Sequence, residues 1–223
     1  MPAARIPYVI GVSGASGTPY AASVIRALVQ AGEFVDLIVS RAARLTILDE
    51  TGIGWRDAHW REDLASWLGV DVGDRVTYWA PGDLAAGPSS GSYRTKGMVV
   101  VPASTAAVAG IAIGLSKDLL QRAADVTLKE RRRLVVVPRE TPLGRTHLVH
   151  MLALHDAGAV VLPASPAFYA GAHDVQQLVD FVAGRVLDAL AVEHTLYTRW
   201  TGRLGAARAS GAPPSDVPSD TSD

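Results

Sequence analysis

Cysteine is absent from this chain, which removes disulfides, thiolate metal ligands and a catalytic thiol at once. A cysteine-free enzyme needs no oxidising surroundings, and a cytoplasmic location is the expectation. Also missing is any unbroken apolar run near the ~20 residues that a bilayer-spanning helix needs. The opening segment MPAARIPYVIGVSGASG is interrupted by Gly and Ser within a few residues. It therefore reads as a first strand and loop, not as the apolar region of a signal peptide. An excess of one charge is lacking too, with 21 basic and 22 acidic residues and a formal net charge of -1. Nothing pulls the whole chain toward nucleic acid or an anionic membrane, so any anion recognition must be local. What is present is a 223-residue chain with 48% apolar and 19% charged residues. That suits a packed globular protein of one domain with appendages.

The pattern alternates apolar strands with helical periods. Ile6–Val12 predicts a buried first strand, followed by Thr18 as a helix cap and Pro19 at the first helical position. Phe34–Val39 predicts a second strand and Arg41–Glu50 a short helix. Between Gly52 and Gly97 the pattern weakens: a helix over His59–Leu68, a strand over Arg75–Trp79, and a Pro, Gly and Ser loop over Ala80–Lys96. Further strands are expected at Met98–Val101, Leu134–Val137 and Ala159–Leu162. Helices are expected at Ala106–Ile113, Lys117–Lys129, Thr146–Asp156 and Val175–Ala191, the last capped by Asp174. Strands that are apolar throughout and alternate with helices predict an α/β, three-layer Rossmann/flavodoxin-like fold, its mostly parallel sheet flanked by helices. A single domain over residues 1–204 and a disordered tail over 205–223, rich in Ala, Pro, Ser and Asp, complete the expectation. No internal repeat is seen.

In such a sheet, ligands bind beyond the carboxyl ends of the strands, so the residues that follow each strand carry the information. Gly11-Val12-Ser13-Gly14-Ala15-Ser16-Gly17 leads into a helix start, where free amides suit an anion. It is neither a Walker loop nor a GxGxxG fingerprint nor a nucleophile elbow. A ligand-free tight turn remains an alternative at that point. Ser40, where a dinucleotide site would want a carboxylate, disfavours NAD; Asp36 lies inside the strand. Ser104 and Thr105 begin a helix and can be plain caps or ligand contacts. Arg139 and Glu140 follow a buried strand: a guanidinium can grip phosphate, and a carboxylate beside it can move protons. Arg131, Arg132 and Arg133 read as a solvated helix end. Pro163–Tyr169 forms a stiff loop able to wall an apolar ligand. Arg185 borders an apolar helix stripe, either paired with an anion or with its head in water. His147, His150 and His155 read as helix surface, with no metal site.

Five segments in order, GVSGASG, IVSRAARLTILDET, RAADVTLKERRRLVVVPRETPL, GAVVLPASPAFY and LVDFVAGRVLD, resemble the UbiX-like flavin prenyltransferase family from about Ile6 to Trp200. The resemblance implies FMN held between subunits of a homododecamer. Gly14, Ala15, Ser16, Ser40, Ser104, Thr105, Ala106, Ala107 and Arg139 would contact the flavin. Lys129, Arg139, Glu140, Tyr169 and Arg185 would surround the phosphate of dimethylallyl monophosphate, with Ser90 and Gly91 assisting and Trp200 near the substrate. Glu50 would arrive from a neighbouring subunit. Ser16, Glu50, Glu140 and Lys129 would be catalytic. The implied reaction joins a dimethylallyl group to N5 and C6 of reduced FMN without metal, making prenylated FMN for a UbiD-like decarboxylase. No DDxxD run is present to hold Mg²⁺ on a diphosphate donor. Relatives often carry Cys where this chain has Ala103. Two other readings share these residues: an FMN-dependent decarboxylase of the cysteine-decarboxylase flavoprotein group, and a non-catalytic FMN carrier.

Overall fold

The computed structural model describes residues 5–168 and 172–200. Six strands form one sheet: β1 (Tyr8–Val12), β2 (Val35–Val39), β3 (Val76–Trp79), β4 (Gly97–Ala103), β5 (Leu134–Pro138) and β6 (Val160–Val161). All neighbouring pairs are parallel, in the order β3-β2-β1-β4-β5-β6. This is the doubly wound order of Rossmann-like folds, whose direction reverses between β1 and β4. The expectation of a mostly parallel sheet is met by one that is parallel throughout.

Among the described residues seven α-helices cover it: α1 (Thr18–Gln30), α2 (Arg41–Thr51), α3 (Trp60–Leu68), α4 (Thr105–Ala112), α5 (Leu119–Lys129), α6 (Arg145–Asp156) and α7 (Val175–Leu190). Strand side chains alternate between faces. Ile10, Leu37, Val99 and Val135 enter one core with α1, α2, α3 and α7. Val9, Ile38, Met98, Val100 and Val136 enter a second core with α4, α5 and α6. Strands buried on both faces must be apolar at every position, which is why they read as continuous runs.

One position breaks that rule. Asp36 in β2 is fully buried; it accepts from Arg5 Nη2 at 2.6 Å and from the Tyr93 hydroxyl at 2.8 Å. Arg5 also donates to Thr77 Oγ1 at 2.9 Å. The charge is stable there because it is paired and hydrogen-bonded. Burial, and then the bond to Asp36, push the Tyr93 hydroxyl up to about 12.

Two local expectations change. Gly17, at φ 110°, caps α1 in place of Thr18, because the Thr18 hydroxyl is engaged by Glu50. The arginine run is only partly a solvated helix end: Arg131 and Arg133 are exposed, but Arg132 is half-buried. Arg132 donates to the carbonyls of Gly91 at 2.6 Å and Tyr93 at 2.8 Å, and Arg133 donates to that of Ala189 at 2.5 Å. These carbonyls lie in the loop before β4 and at the end of α7, so the two guanidiniums tie down backbone that regular structure leaves unpaired. Of the tail, residues 201–223 lie outside the described residues.

Candidate active site

At the sheet's reversal point, the carboxyl ends of β1 and β4 are joined through one hydroxyl. Ser13 Oγ donates to the Pro102 carbonyl at 2.8 Å and accepts from the Ser104 amide at 2.7 Å. Beside this tie opens a cavity of about 420 Å³, lined by Gly14, Ser40, Ala42, Ser104, Ala106, Ala107, Pro81, Gly82, Lys117 and Gln121 among others. Three helices begin at its wall, each with a capping side chain. Ser40 Oγ accepts from Ala43 N, Ser104 Oγ from Ala107 N, and Asp118 Oδ1 from Gln121 N. The macrodipoles and free amides of these ends favour an anionic ligand group, and small side chains along α4 leave room for it. Of the expected cofactor residues, Gly14, Ser40, Ser104, Ala106 and Ala107 share this cavity.

Ala15 and Ser16 continue the β1 loop toward the end of β5. Arg139 Nε donates to the Ser16 carbonyl at 3.0 Å, which brings the guanidinium to the rim. Glu140 is exposed beside it, with Oε1 accepting from the Thr141 amide at 3.0 Å. Arg139 and Glu140 also line a second cavity of about 310 Å³ with Leu143, Met151, Pro163 and Ser165.

Within its own chain the Glu50 carboxylate packs on the loop after β1: it accepts from the amides of Gly17 and Thr18, each at 2.8 Å, and from Thr18 Oγ1 at 2.6 Å. Burial pushes its carboxyl up, but hydrogen bonds from Thr18, Ser16 and those amides outweigh burial and hold it below the usual carboxylate range. Glu50 lies in the last turn of α2, so that turn is fixed to the loop after β1.

The three expected phosphate cations have separate surroundings. Lys129 closes α5, pairs with Glu130 at 2.6 Å and lies beside Gly91, with Ser90 next along that loop. Arg185 in α7 meets Asp188 at 2.8 Å and the Tyr197 hydroxyl at 3.4 Å. Lys129 precedes β5 and Arg139 follows it, so the length of a five-residue strand, roughly 16 Å, lies between them. Helices α5 and α7 cover opposite faces of the sheet, so Lys129 and Arg185 are divided by the sheet itself. One chain alone does not gather all three. Trp200 is exposed at the end of the described segment after α7, and Tyr169 lies outside the described residues.

Sequence reasoning missed Ser13 and the Lys117–Gln121 wall. The spacing suggests a helix from Lys117, whereas α5 begins at Leu119 with Asp118 as its cap. An Asp three residues before Gln121 was the available signal. The histidines of α6 do lie along its surface, His147 Nδ1 accepting from the Gly144 amide at 3.1 Å. Among the described residues no group of three or more His, Asp or Glu is arranged to hold a metal ion.

A doubly wound sheet with an anion-suited cleft at its reversal point defines the class, and comparison with known proteins agrees. The family model named Flavoprotein matches residues 3–187. A Streptomyces coelicolor protein named flavin prenyltransferase UbiX is 67% identical over 217 residues, covering 92% of this chain and all of that one. A Pseudomonas aeruginosa protein of the same name is 38% identical, covering 86% and 92%. A crystal structure described as AnUbiX (PadA1) in complex with FMN and dimethylallyl pyrophosphate superposes with a TM-score of 0.79 at 38% identity, covering 90% of this chain and all of that one. This chain belongs to the UbiX-like flavin prenyltransferase family. The cysteine decarboxylase SpaF, at 14% identity and a TM-score of 0.50 over 72% of this chain and 85% of its own, shares the fold alone.

Proposed function

We propose that this protein binds FMN in the cleft between β1, β2 and β4 and prenylates it with dimethylallyl monophosphate, yielding prenylated FMN for a UbiD-like decarboxylase. The observation that carries the reading is the continuous edge formed by the three-helix cleft, the Ser16–Glu50 pair and Arg139–Glu140. Residues of this kind fit a flavin mononucleotide: helix ends for its phosphate, alanines and Gly14 where a flat ring must approach backbone, and Arg139 at the rim. Reduced FMN, when bound, supplies N5 and C6 as the prenyl acceptor atoms.

The chain's own groups then have distinct tasks. An allylic carbon–oxygen bond breaks more readily when cations stabilise the departing phosphate, and Lys129, Arg139 and Arg185 supply that charge without a metal. Ser90, Gly91 and Tyr169 complete the phosphate surroundings, and Trp200 helps exclude water from the allylic carbon. Proton movement at the acceptor falls to Ser16, Glu140 and Glu50. Glu50, fixed by its own loop, is suited to keeping the Ser16 hydroxyl oriented.

Because the sheet separates Lys129 from Arg185, this reading requires neighbouring protomers to complete the phosphate site. We therefore include a homo-oligomer in the proposal, a homododecamer like the Escherichia coli O157:H7 UbiX-like protein described as dodecameric. Leu148, Val149 and Leu152 on α6 are exposed by 52%, 45% and 59%, an apolar face of the sort that subunit contacts cover. No helix among the described residues is long and apolar enough to cross a membrane, and we place the enzyme in the cytoplasm.

The test is anaerobic incubation with reduced FMN and dimethylallyl phosphate, followed by mass measurement of the extracted cofactor. A gain of one pentenyl group supports the proposal. Unchanged FMN with turnover of a peptidyl cysteine supports the decarboxylase reading, and unchanged FMN with no turnover the carrier. Mixing Lys129→Ala and Arg185→Ala subunits tests the shared site: partial recovery of activity in reassembled oligomers is expected, and none if each site is built from one chain.

A further inference from the structure

Gln121 is a buried polar side chain in the cleft to which the reading above gives no task. It is 3% exposed, yet it lines the same cavity as Ser40, Ser104 and Lys117. Its amide orientation is set by one contact: Oε1 accepts from the Lys117 backbone amide at 3.3 Å. An amide whose oxygen is used this way presents its NH₂ as a donor. No hydrogen bond among the described residues uses that nitrogen, and, unlike the indole nitrogens of Trp55, Trp67 and Trp79, it is not sealed from solvent, so it is left available to an acceptor. The chain also makes room for it at a specific place. A Cβ on Gly110 of α4 would come within 2.6 Å of Gln121 Cδ and 2.8 Å of Oε1. Glycine inside a helix costs stability relative to alanine, and here it clears the space that the amide occupies.

We infer that Gln121 donates a hydrogen bond to the ribityl-phosphate chain of the bound flavin and is a cofactor-binding residue of this protein. The inference rests on the proposed FMN site. It points to the chain and not the ring because of what surrounds the amide. The same cavity wall holds the first turns of α2, α4 and α5 and the Lys117 side chain, which is a setting for oxygen acceptors and negative charge. Asp118, the nearby carboxylate, has one oxygen engaged in capping the Gln121 backbone N–H at 2.9 Å.

The experiment measures dissociation constants of the full-length protein for FMN, riboflavin and lumiflavin by quenching of flavin fluorescence. Wild type should bind FMN; if it does not, the proposed site itself fails and Gln121 is not the cause. In Gln121→Leu, FMN affinity should fall about 10- to 100-fold, the range for losing a hydrogen bond to a charged or strongly polar group, while lumiflavin affinity stays at the wild-type value. Loss for FMN but not riboflavin assigns the phosphate as acceptor; equal loss for both assigns a ribityl hydroxyl. Equal loss for all three flavins would put Gln121 on the ring and overturn the inference, as would no loss at all. Gly110→Ala provides a control for folding. Alanine favours the helix but displaces the amide, so its unfolding temperature without flavin should hold while FMN affinity falls in the same pattern as in Gln121→Leu. Unchanged FMN affinity in Gly110→Ala would count against the fixed amide.

Discussion

Charged groups at the amino edge of the sheet close on one another, whereas Arg139 and Glu140 at the carboxyl edge keep bonding capacity beside a cleft. Around the start of β2, Asp36, Arg5, Thr77 and Tyr93 satisfy each other inside the chain. Arg132 and Arg133 spend their donors on backbone carbonyls. Around the ends of β1, β4 and β5, Glu140 bonds only a neighbouring amide among the described residues, Arg139 reaches a carbonyl through one nitrogen, and Gln121 has a donor to spare. Arginine and carboxylate occur at both edges. Partners within the chain make a clamp of Arg5, Asp36 and Arg132, whereas Arg139 and Glu140 keep bonding capacity for a ligand.

The largest expected effect belongs to the open edge. Glu140→Gln should retain flavin yet slow product formation about 10²- to 10⁴-fold, the range for general acid–base groups, read as pentenyl transfer in a single anaerobic turnover. Full activity would leave that edge as a binding platform only.

At the closed edge the effect should be on stability. Asp36→Ala strands the Arg5 guanidinium and should cost about 3–5 kcal/mol, as for breaking a buried pair, seen as a lower urea midpoint. The variant that still folds should bind FMN as wild type does. Reduced affinity at full folding would show that the two edges are coupled.

Arg132→Ala lies between the two cases, because its carbonyl partners belong to the loop carrying Ser90 and Gly91. A stability loss of about 1–3 kcal/mol is expected. Prenyl transfer should weaken with it if that loop serves the donor phosphate; a purely structural clamp would leave turnover of the folded protein unchanged.

The smallest effect is expected at Asp188, which accepts from Arg185, Tyr197, His194 and Arg199. Burial raises its pKa, but the hydrogen bonds from Tyr197, Arg199 and His194 win and hold it well below its ordinary 3.8. A depressed folded pKa means stability that is present above the unfolded value and lost as pH falls below it. Asp188→Asn should therefore be less stable than wild type at pH 7, by about 1–2 kcal/mol for the weakened bonds. The two unfolding-temperature curves should converge below pH 3.8. Parallel curves would mean that the carboxylate is not what holds the segment after α7.

Much of this was legible before any coordinates. The apolar runs marked all six strands, because burial on both faces forbids polar interruption, with β1 and β6 each two residues too long and β4 three too short. The glycine and serine turn after β1 marked the cleft, since parallel strands carry ligands at their carboxyl ends. Asp36 showed only as a misfit inside a strand; its partners Arg5 and Tyr93 come from two separate segments. Arg132 read as solvated because a run of like charges resembles a helix end, and the carbonyls it serves lie about forty positions earlier.

By itself the sequence determined which segments are strands, which turns face the ligand edge and which residue types stand there, since these depend on periodicity and local chemistry. Tertiary structure alone decided which distant groups meet. It packed Glu50 against its own chain's loop after β1, set Lys129 and Arg185 on opposite faces of the sheet, and brought Gln121 to the cleft wall beside Gly110. Proximity between remote segments is a property of packing, and one strand's pattern does not record what the far side of the sheet will hold.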